Sequence, residues 1–165
     1  MKSRFITAVL IFVATIFLSQ ALAGGGKLPV FSLKDPHGAL HQSGKLRGRP
    51  LIIIYTAPTI WNESTQKKWC NYLAQTKPKQ AGFIMIEDMS AAPFREMAAS
   101  EMKKEWAPKD VPLLLLDENG GLRKSFSAAK GATCVLVYGR TNKLIHTETG
   151  PPSLALAKSL WNMAR

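Results

Sequence analysis

The residues of this chain best suited to redox chemistry are its two cysteines. Cys70 and Cys134 lie far apart in the sequence, and each falls inside an apolar pattern. Thiol chemistry requires the thiolate, and burial among apolar groups opposes that charged form. Two interpretations stay open at this stage. The cysteines form a disulfide, which an oxidising compartment would permit, or they are two buried free thiols.

Other candidate groups have the wrong spacing for chemistry. His37 and His41 are four residues apart in a turn-rich region, but a useful zinc site takes three or four ligands. The sequence DENGG from Asp117 lacks the later glutamate of a calcium loop. Glu87 and Asp88 are neighbours on a predicted strand, so their side chains point to opposite faces and cannot share acid–base work. We therefore predict no metal site and no cofactor.

The N-terminal sequence predicts export. Lys2 and Arg4 precede an apolar run of about 13 residues, which ends in small residues up to Ala23. A membrane span needs roughly 20 apolar residues, so the pattern indicates a cleaved signal peptide, residues 1–23, and not an anchor. The expected mature form is one domain, residues 24–165, in the periplasm or secreted, that does not span the membrane.

The chain is basic, with 22 lysines and arginines against 11 acidic residues and a net charge of +11. Removing Lys2 and Arg4 with the signal peptide lowers this charge to +9. The basic residues are scattered and do not form one tract, which favours a solubilising surface with weak attraction to anionic surfaces. An exported protein does not meet nucleic acid, so we expect no nucleic-acid partner.

The elements that must position these residues alternate between strands and helices. PLIIIYT and GFIMIED are continuous apolar runs typical of buried central strands. A helix is predicted from about Asn62 to Gln75, and another in SAAPFREMAASEMKKEW, whose apolar face would hold Phe94, Met97 and Met102. VPLLLLD is a third strand, ATCVLVYGRTNKLIHTET is a hairpin pattern, and PPSLALAKSLWNMA is a terminal helix. This order predicts a three-layer α/β sandwich with a central mixed β-sheet flanked by helices.

Particular phrases in this order resemble the thioredoxin-like superfamily, specifically its redoxin branch of peroxiredoxins and exported TlpA-type thiol oxidoreductases. FSLKDPHGALHQSGKLRGRPLIIIYTAP is similar to that branch's opening, and VPLLLLDENGGLRKSF to its P.l.D..g....f segment. ATCVLVYGRTNKLIHTETG resembles its PT.flid..G.i segment. The resemblance covers nearly all of residues 28–163. It implies the thioredoxin-like fold, with the active site in the turn after PLIIIYT.

The departures from this pattern bear directly on activity. The branch carries C-x-x-C or T-x-x-C in that turn, but here the turn is APTIWNES. Thr59 matches the threonine of T-x-x-C, and Asn62 stands where the thiolate should be. A carboxamide cannot attack a disulfide or a peroxide. The branch's cis-proline falls at Ala132, where a cis bond would cost about 3 kcal/mol, so we expect a trans bond there.

The resemblance therefore implies an exported thioredoxin-fold protein without catalytic cysteines, acting as a binding or accessory protein for another protein of the cell envelope. The alternative is a thiol-disulfide oxidoreductase or peroxidase that uses Cys70 and Cys134. A bridge between these two cysteines would need their Cα atoms within about 7 Å. The candidate binding surface is the rim around the turn, formed by Thr59, Trp61, Asn62, Glu63, Ala132 and Thr133.

Overall fold

A computed structural model describes residues 26–165, and the predicted signal peptide lies outside them. Strands and helices alternate over most of this length, with short 3-10 helices at Ser43–Leu46 and Met89–Ala91. The elements are β1 (Ser32–Lys34), β2 (Leu40–Gln42), β3 (Leu51–Thr56), α1 (Ile60–Thr76), β4 (Gly82–Asp88), α2 (Arg95–Glu105), β5 (Leu113–Asp117), α3 (Leu122–Ser125), β6 (Cys134–Tyr138), β7 (Leu144–Glu148) and α4 (Leu154–Ala164).

The seven strands form one mixed sheet in the order β2-β1-β5-β4-β3-β6-β7. β3, β4 and β5 run parallel, and β6 lies antiparallel to β3. Every residue of β3 and β4 is buried, because both faces of these strands are covered. The predicted α/β sandwich with a central mixed sheet is therefore confirmed.

The sheet separates two apolar layers. On one face, Ile52 and Ile54 pack with Leu73 of α1 and Trp161 of α4. The indole of Trp161 donates a hydrogen bond to the Leu73 carbonyl at 3.0 Å, which ties α4 to α1. On the other face the core consists of alternate strand residues, the segment before β1 and the short helix α3, and includes Leu28, Phe31, Ile53, Tyr55, Leu122, Phe126 and Leu136.

Helix α2 differs from the sequence expectation. It starts at Arg95 and has no buried residue, although the sequence pattern places Phe94, Met97 and Met102 on one apolar face. Phe94 and Met97 are exposed, and only Met102 packs partly on the core. A groove separates α2 from α1, and α2 does not pack closely on the sheet. The apolar face of α2 is therefore largely exposed. Within residues 26–165, no helix has both the length and the apolar character to cross a membrane.

Candidate functional site at the start of helix α1

The turn between β3 and α1 has the expected layout. β3 ends at Thr56, and Thr59 precedes the first residue of α1 in extended conformation, with φ −121° and ψ 149°. The Thr59 backbone N–H donates to the Ala57 carbonyl at 2.8 Å, and the Asn62 N–H donates to the Thr59 carbonyl at 3.0 Å. The helix therefore starts directly above the end of a buried central strand.

Asn62 fastens this turn to the loop before β6. Its side-chain Nδ2 donates to the Ala57 carbonyl at 3.1 Å and to the Gly131 carbonyl at 2.8 Å. Gly131 has φ +77°, a left-handed conformation that suits glycine. Both amide hydrogens of Asn62 are used in these contacts. The Asn62 side chain thus makes a structural link between two loops.

Hydrogen bonds also fix the two rim residues in the loop before β6, Ala132 and Thr133. The hydroxyl groups of Thr133 and Thr56 are hydrogen bonded at 2.7 Å, and the Ala132 N–H donates to the Ala129 carbonyl at 3.1 Å. Among residues 26–165 the only cis peptide bond is Val111–Pro112. Ala132 therefore follows a trans bond, as expected for a residue other than proline.

The outer part of the rim is apolar and exposed. Trp61 is 84% exposed and the neighbouring Ile60 is 79% exposed. Glu63 points away from the loop and forms an exposed ion pair with Lys67 at 2.6 Å. The structure thus brings the predicted rim residues around one turn. Ile60 adds an exposed apolar side chain that was not among the residues predicted from the sequence.

The two cysteines lie on opposite faces of the sheet. Cys70 belongs to α1 and its Sγ lies 3.6 Å from Sδ of Met85, whereas Cys134 begins β6 and packs with Tyr55 on the other face. Both are free, so the bridge that the sequence left open is not formed. Burial raises the pKa of each thiol to about 12. Neither cysteine occupies the turn.

The two histidines weighed as metal ligands bind different partners. His37 Nε2 lies 2.6 Å from the carbonyl oxygen of Trp106, and His41 Nε2 lies 3.0 Å from a carboxylate oxygen of Asp35. Asp35 also accepts from the His37 N–H at 2.9 Å, which closes the turn between β1 and β2. The His41 side chain therefore supports the turn between β1 and β2, and the His37 side chain links this turn to the end of α2.

Glu87 and Asp88 point to opposite faces, as their adjacent positions predict. Asp88 accepts from Arg123 Nε at 2.8 Å. Glu87 is only 1% exposed and faces α1, where Gln66 Nε2 donates to its Oε1 and lies 3.1 Å from Sδ of Met85. Burial raises the pKa of Glu87 to about 8, against the Gln66 hydrogen bond that lowers it. The sequence shows this carboxylate at the end of an apolar strand, but it does not show that Glu87 is buried against α1 with Gln66 as its partner.

Strand order, the helix after β3 and the closing β6–β7 hairpin define the thioredoxin-like fold, and comparisons with solved structures show the same fold. A thioredoxin-family thiol:disulfide interchange protein from Chlorobium tepidum is 16% identical, with a TM-score of 0.65 over 85% of this chain and 96% of that one. A secreted Mycobacterium tuberculosis disulfide oxidoreductase homologous to E. coli DsbE is 13% identical, with a TM-score of 0.60 over 80% and 94%.

An exposed lipoprotein thioredoxin from Streptococcus pneumoniae is also similar, at 13% identity and a TM-score of 0.59, over 81% of this chain and 99% of that one. No family model matches the sequence, and no curated protein matches it. The similarity therefore establishes a thioredoxin-like fold. At these identities it says nothing about activity.

Proposed function

We propose that this chain is an exported thioredoxin-fold protein that acts by binding another protein of the cell envelope, without thiol chemistry. The observation that carries the proposal is Asn62. It stands at the start of the helix after the first central strand, and both its amide hydrogens are used in holding the Ala57 and Gly131 carbonyls. A thioredoxin-type reaction needs a thiolate at such a helix start, where the backbone N–H groups stabilise it.

The alternative, a redox enzyme using Cys70 and Cys134, is opposed by their positions. A thiol with a pKa near 12 holds almost no thiolate at neutral pH, and each is enclosed by a different apolar layer. Two thiols on opposite faces of a sheet also cannot exchange with each other without unfolding the core. These features favour structural roles for both residues.

Export is supported by the signal-peptide pattern in residues 1–23 and by the neighbours described as secreted or as an exposed lipoprotein. The test is the mass of the protein recovered from a bacterial periplasmic extract after expression of the full chain. Export predicts a product that starts at Gly24. Recovery of the uncleaved chain only from the cytoplasm would contradict this part of the proposal.

The proposed contact surface is the exposed pair Ile60 and Trp61. Exposed tryptophan is enriched among residues that dominate protein–protein binding energy, because its ring buries a large area with few rotatable bonds. The pair lies at the start of α1, beside the loop that Asn62 and Thr133 hold in place. A rigid turn with apolar side chains on its outer side is a suitable anchor for a partner.

The partner is sought by cross-linking in a periplasmic extract, with wild-type protein and two variants. Trp61→Ser removes the exposed ring, and Val30→Ser is the control because Val30 is equally exposed, at 84%, in the segment before β1. We expect a specific cross-linked protein with wild type and Val30→Ser, reduced at least about tenfold with Trp61→Ser. Equal capture by all three proteins would refute this surface.

A further inference from the structure

Helices α1 and α2 enclose a groove that starts at the proposed rim and extends beyond it. We call it the α1–α2 groove; its volume is about 640 Å³, within the usual range of small-molecule sites. Its floor is formed by β4 and β5, and one end opens near Thr59 and Ile60. The groove exists because α2 stands off the sheet without burying a residue.

The groove wall is largely apolar. It is lined by Cys70 of α1, Met85 of β4, Met102 of α2, Trp106 at the end of α2 and Leu114 of β5. The Trp106 indole donates to the Pro112 carbonyl at 3.0 Å, so this side of the groove is held in place. Such a wall offers a water-excluded surface to the apolar part of a ligand.

One polar group on the floor has an unsatisfied oxygen. Glu87 Oε1 accepts from Gln66, but Oε2 has no hydrogen-bond partner among the residues that the structure describes. A buried polar atom without a hydrogen-bond partner is destabilising, because it has lost its hydrogen bonds to water. Glu87 lines the groove, but Oε2 is itself covered, so a molecule in the groove reaches this oxygen once the side chains on the groove floor move aside.

The charged residues around the groove indicate the ligand's charge. Glu63, Glu101 and Glu105 line it together with Lys67. Lys67 is paired to Glu63 and Lys104 to Glu101, each at 2.6 Å, which leaves Glu105 as the one of these three glutamates without an ion pair among the described residues. The whole chain carries +11, so this acidic opening contrasts with the rest of the molecule. Such a balance attracts cations and repels carboxylates.

We propose that the α1–α2 groove binds a small amphipathic amine, with its apolar body against Met102 and Trp106 and its ammonium on Oε2 of Glu87. The apolar wall buries the hydrocarbon part of the ligand, and the acidic residues at the opening favour a positively charged ligand. The ammonium gives Oε2 of Glu87 a hydrogen-bond partner. This site adjoins the rim and shares Thr59 and Glu63 with it, but the contacts proposed for the amine, at Glu87, Met102 and Trp106, lie outside the rim.

Binding an ammonium there is coupled to proton release. Below pH 8 the unliganded Glu87 is mostly protonated, so its proton passes to solvent as the amine binds. The other ionisable groups that line the groove are Cys70, Glu63, Lys67, Glu101 and Glu105, and the charge of Asp88 acts on Glu87 from the opposite face of the sheet. Affinity should therefore rise roughly tenfold per pH unit up to about pH 8 and then level off.

The experiment is calorimetric titration of the mature protein with three probes of one chain length: n-hexylamine, n-hexanol and n-hexanoate. We expect the amine to bind at least about tenfold more tightly than either other probe, since hydrogen bonds to charged groups contribute about 1.5–3 kcal/mol. In buffers of different ionisation enthalpy at pH 7, amine binding should release about one proton. Equal binding of the alcohol, tighter binding of hexanoate, or no binding of the amine would overturn the proposal.

Two variants locate the site. Glu87→Gln keeps the shape and the acceptor for Gln66, and we expect it to weaken hexylamine binding at least about tenfold and to abolish proton release. Ala98→Leu fills the groove from α2 while leaving Glu87 in place, and should also weaken binding. Val30→Ser, far from the groove in sequence and exposed, is the control. Unchanged amine affinity in both groove variants would refute the site.

Discussion

The buried carboxyl of Glu87 makes stability depend on pH in a direction opposite to that of most acidic residues. Its pKa is about 8 in the folded protein and 4.5 in an unfolded reference. Between these values the folded chain holds a proton that the unfolded chain has lost. The free energy of unfolding therefore falls as pH rises through this window, by about 1.4 kcal/mol per pH unit.

Glu87→Gln removes this titration and keeps the hydrogen bond from Gln66, because a carboxamide oxygen can accept in place of Oε1. Between pH 4.5 and pH 7 this titration lowers the free energy of unfolding of the wild-type protein by about 3 kcal/mol, and the variant does not undergo this loss. We expect the variant and wild type to be similar at pH 4.5. At pH 7 the variant should be more stable, with a Tm higher by roughly 10 °C.

The assay is urea denaturation followed by tryptophan fluorescence at intervals from pH 4.5 to pH 8. The matched control is Glu118→Gln, which removes an exposed carboxylate from the turn after β5 and should leave the wild-type profile unchanged. The reasoning is refuted if the difference between Glu87→Gln and wild type stays constant across this range. It is also refuted if the variant is less stable at pH 7.

Three further predictions concern the turn and the core. Asn62→Ala removes the hydrogen bonds to Ala57 and Gly131 and should cost about 1–3 kcal/mol of stability by urea denaturation; a loss below 0.3 kcal/mol would show that the link is not structural. Trp61→Ser, at an exposed site, should change stability by no more than about 0.5 kcal/mol in the same assay. Leu73→Ala opens a cavity between α1 and the sheet and should cost about 2–5 kcal/mol, and a smaller loss would mean that this layer repacks.

Much of the fold was predictable because the apolar runs are long and their order is informative. PLIIIYT and GFIMIED became β3 and β4, each buried on both faces. The β6–β7 hairpin followed from its turn residues, with Asn142 in a left-handed conformation at φ 61°. The absence of a cysteine from the turn after β3 could be seen in the sequence, but the two carbonyl partners of the Asn62 amide could not.

The remaining features depend on packing that periodicity does not encode. The faces of Cys70 and Cys134 depend on strand register: Cys134 lies opposite Tyr55 and shares its layer, while α1 covers the layer of Ile52 and Ile54. Helix α2 has an apolar pattern but does not rest on the sheet. The groove, and with it the surroundings of Glu87, therefore required three-dimensional structure.

The measurement that tests the central claim most directly is the reactivity of the two thiols in the native mature protein. Iodoacetamide labelling is followed by mass spectrometry at pH 7 to 9, with and without prior reduction, and Asn62→Cys is the matched control that places a thiol at the start of α1. If both thiols are buried and non-catalytic, Cys70 and Cys134 should be labelled negligibly, and the mass should be the same with and without prior reduction. The Asn62→Cys variant should be labelled rapidly at its new thiol. Rapid labelling of either native cysteine at neutral pH, or a change in mass on reduction, would contradict the account.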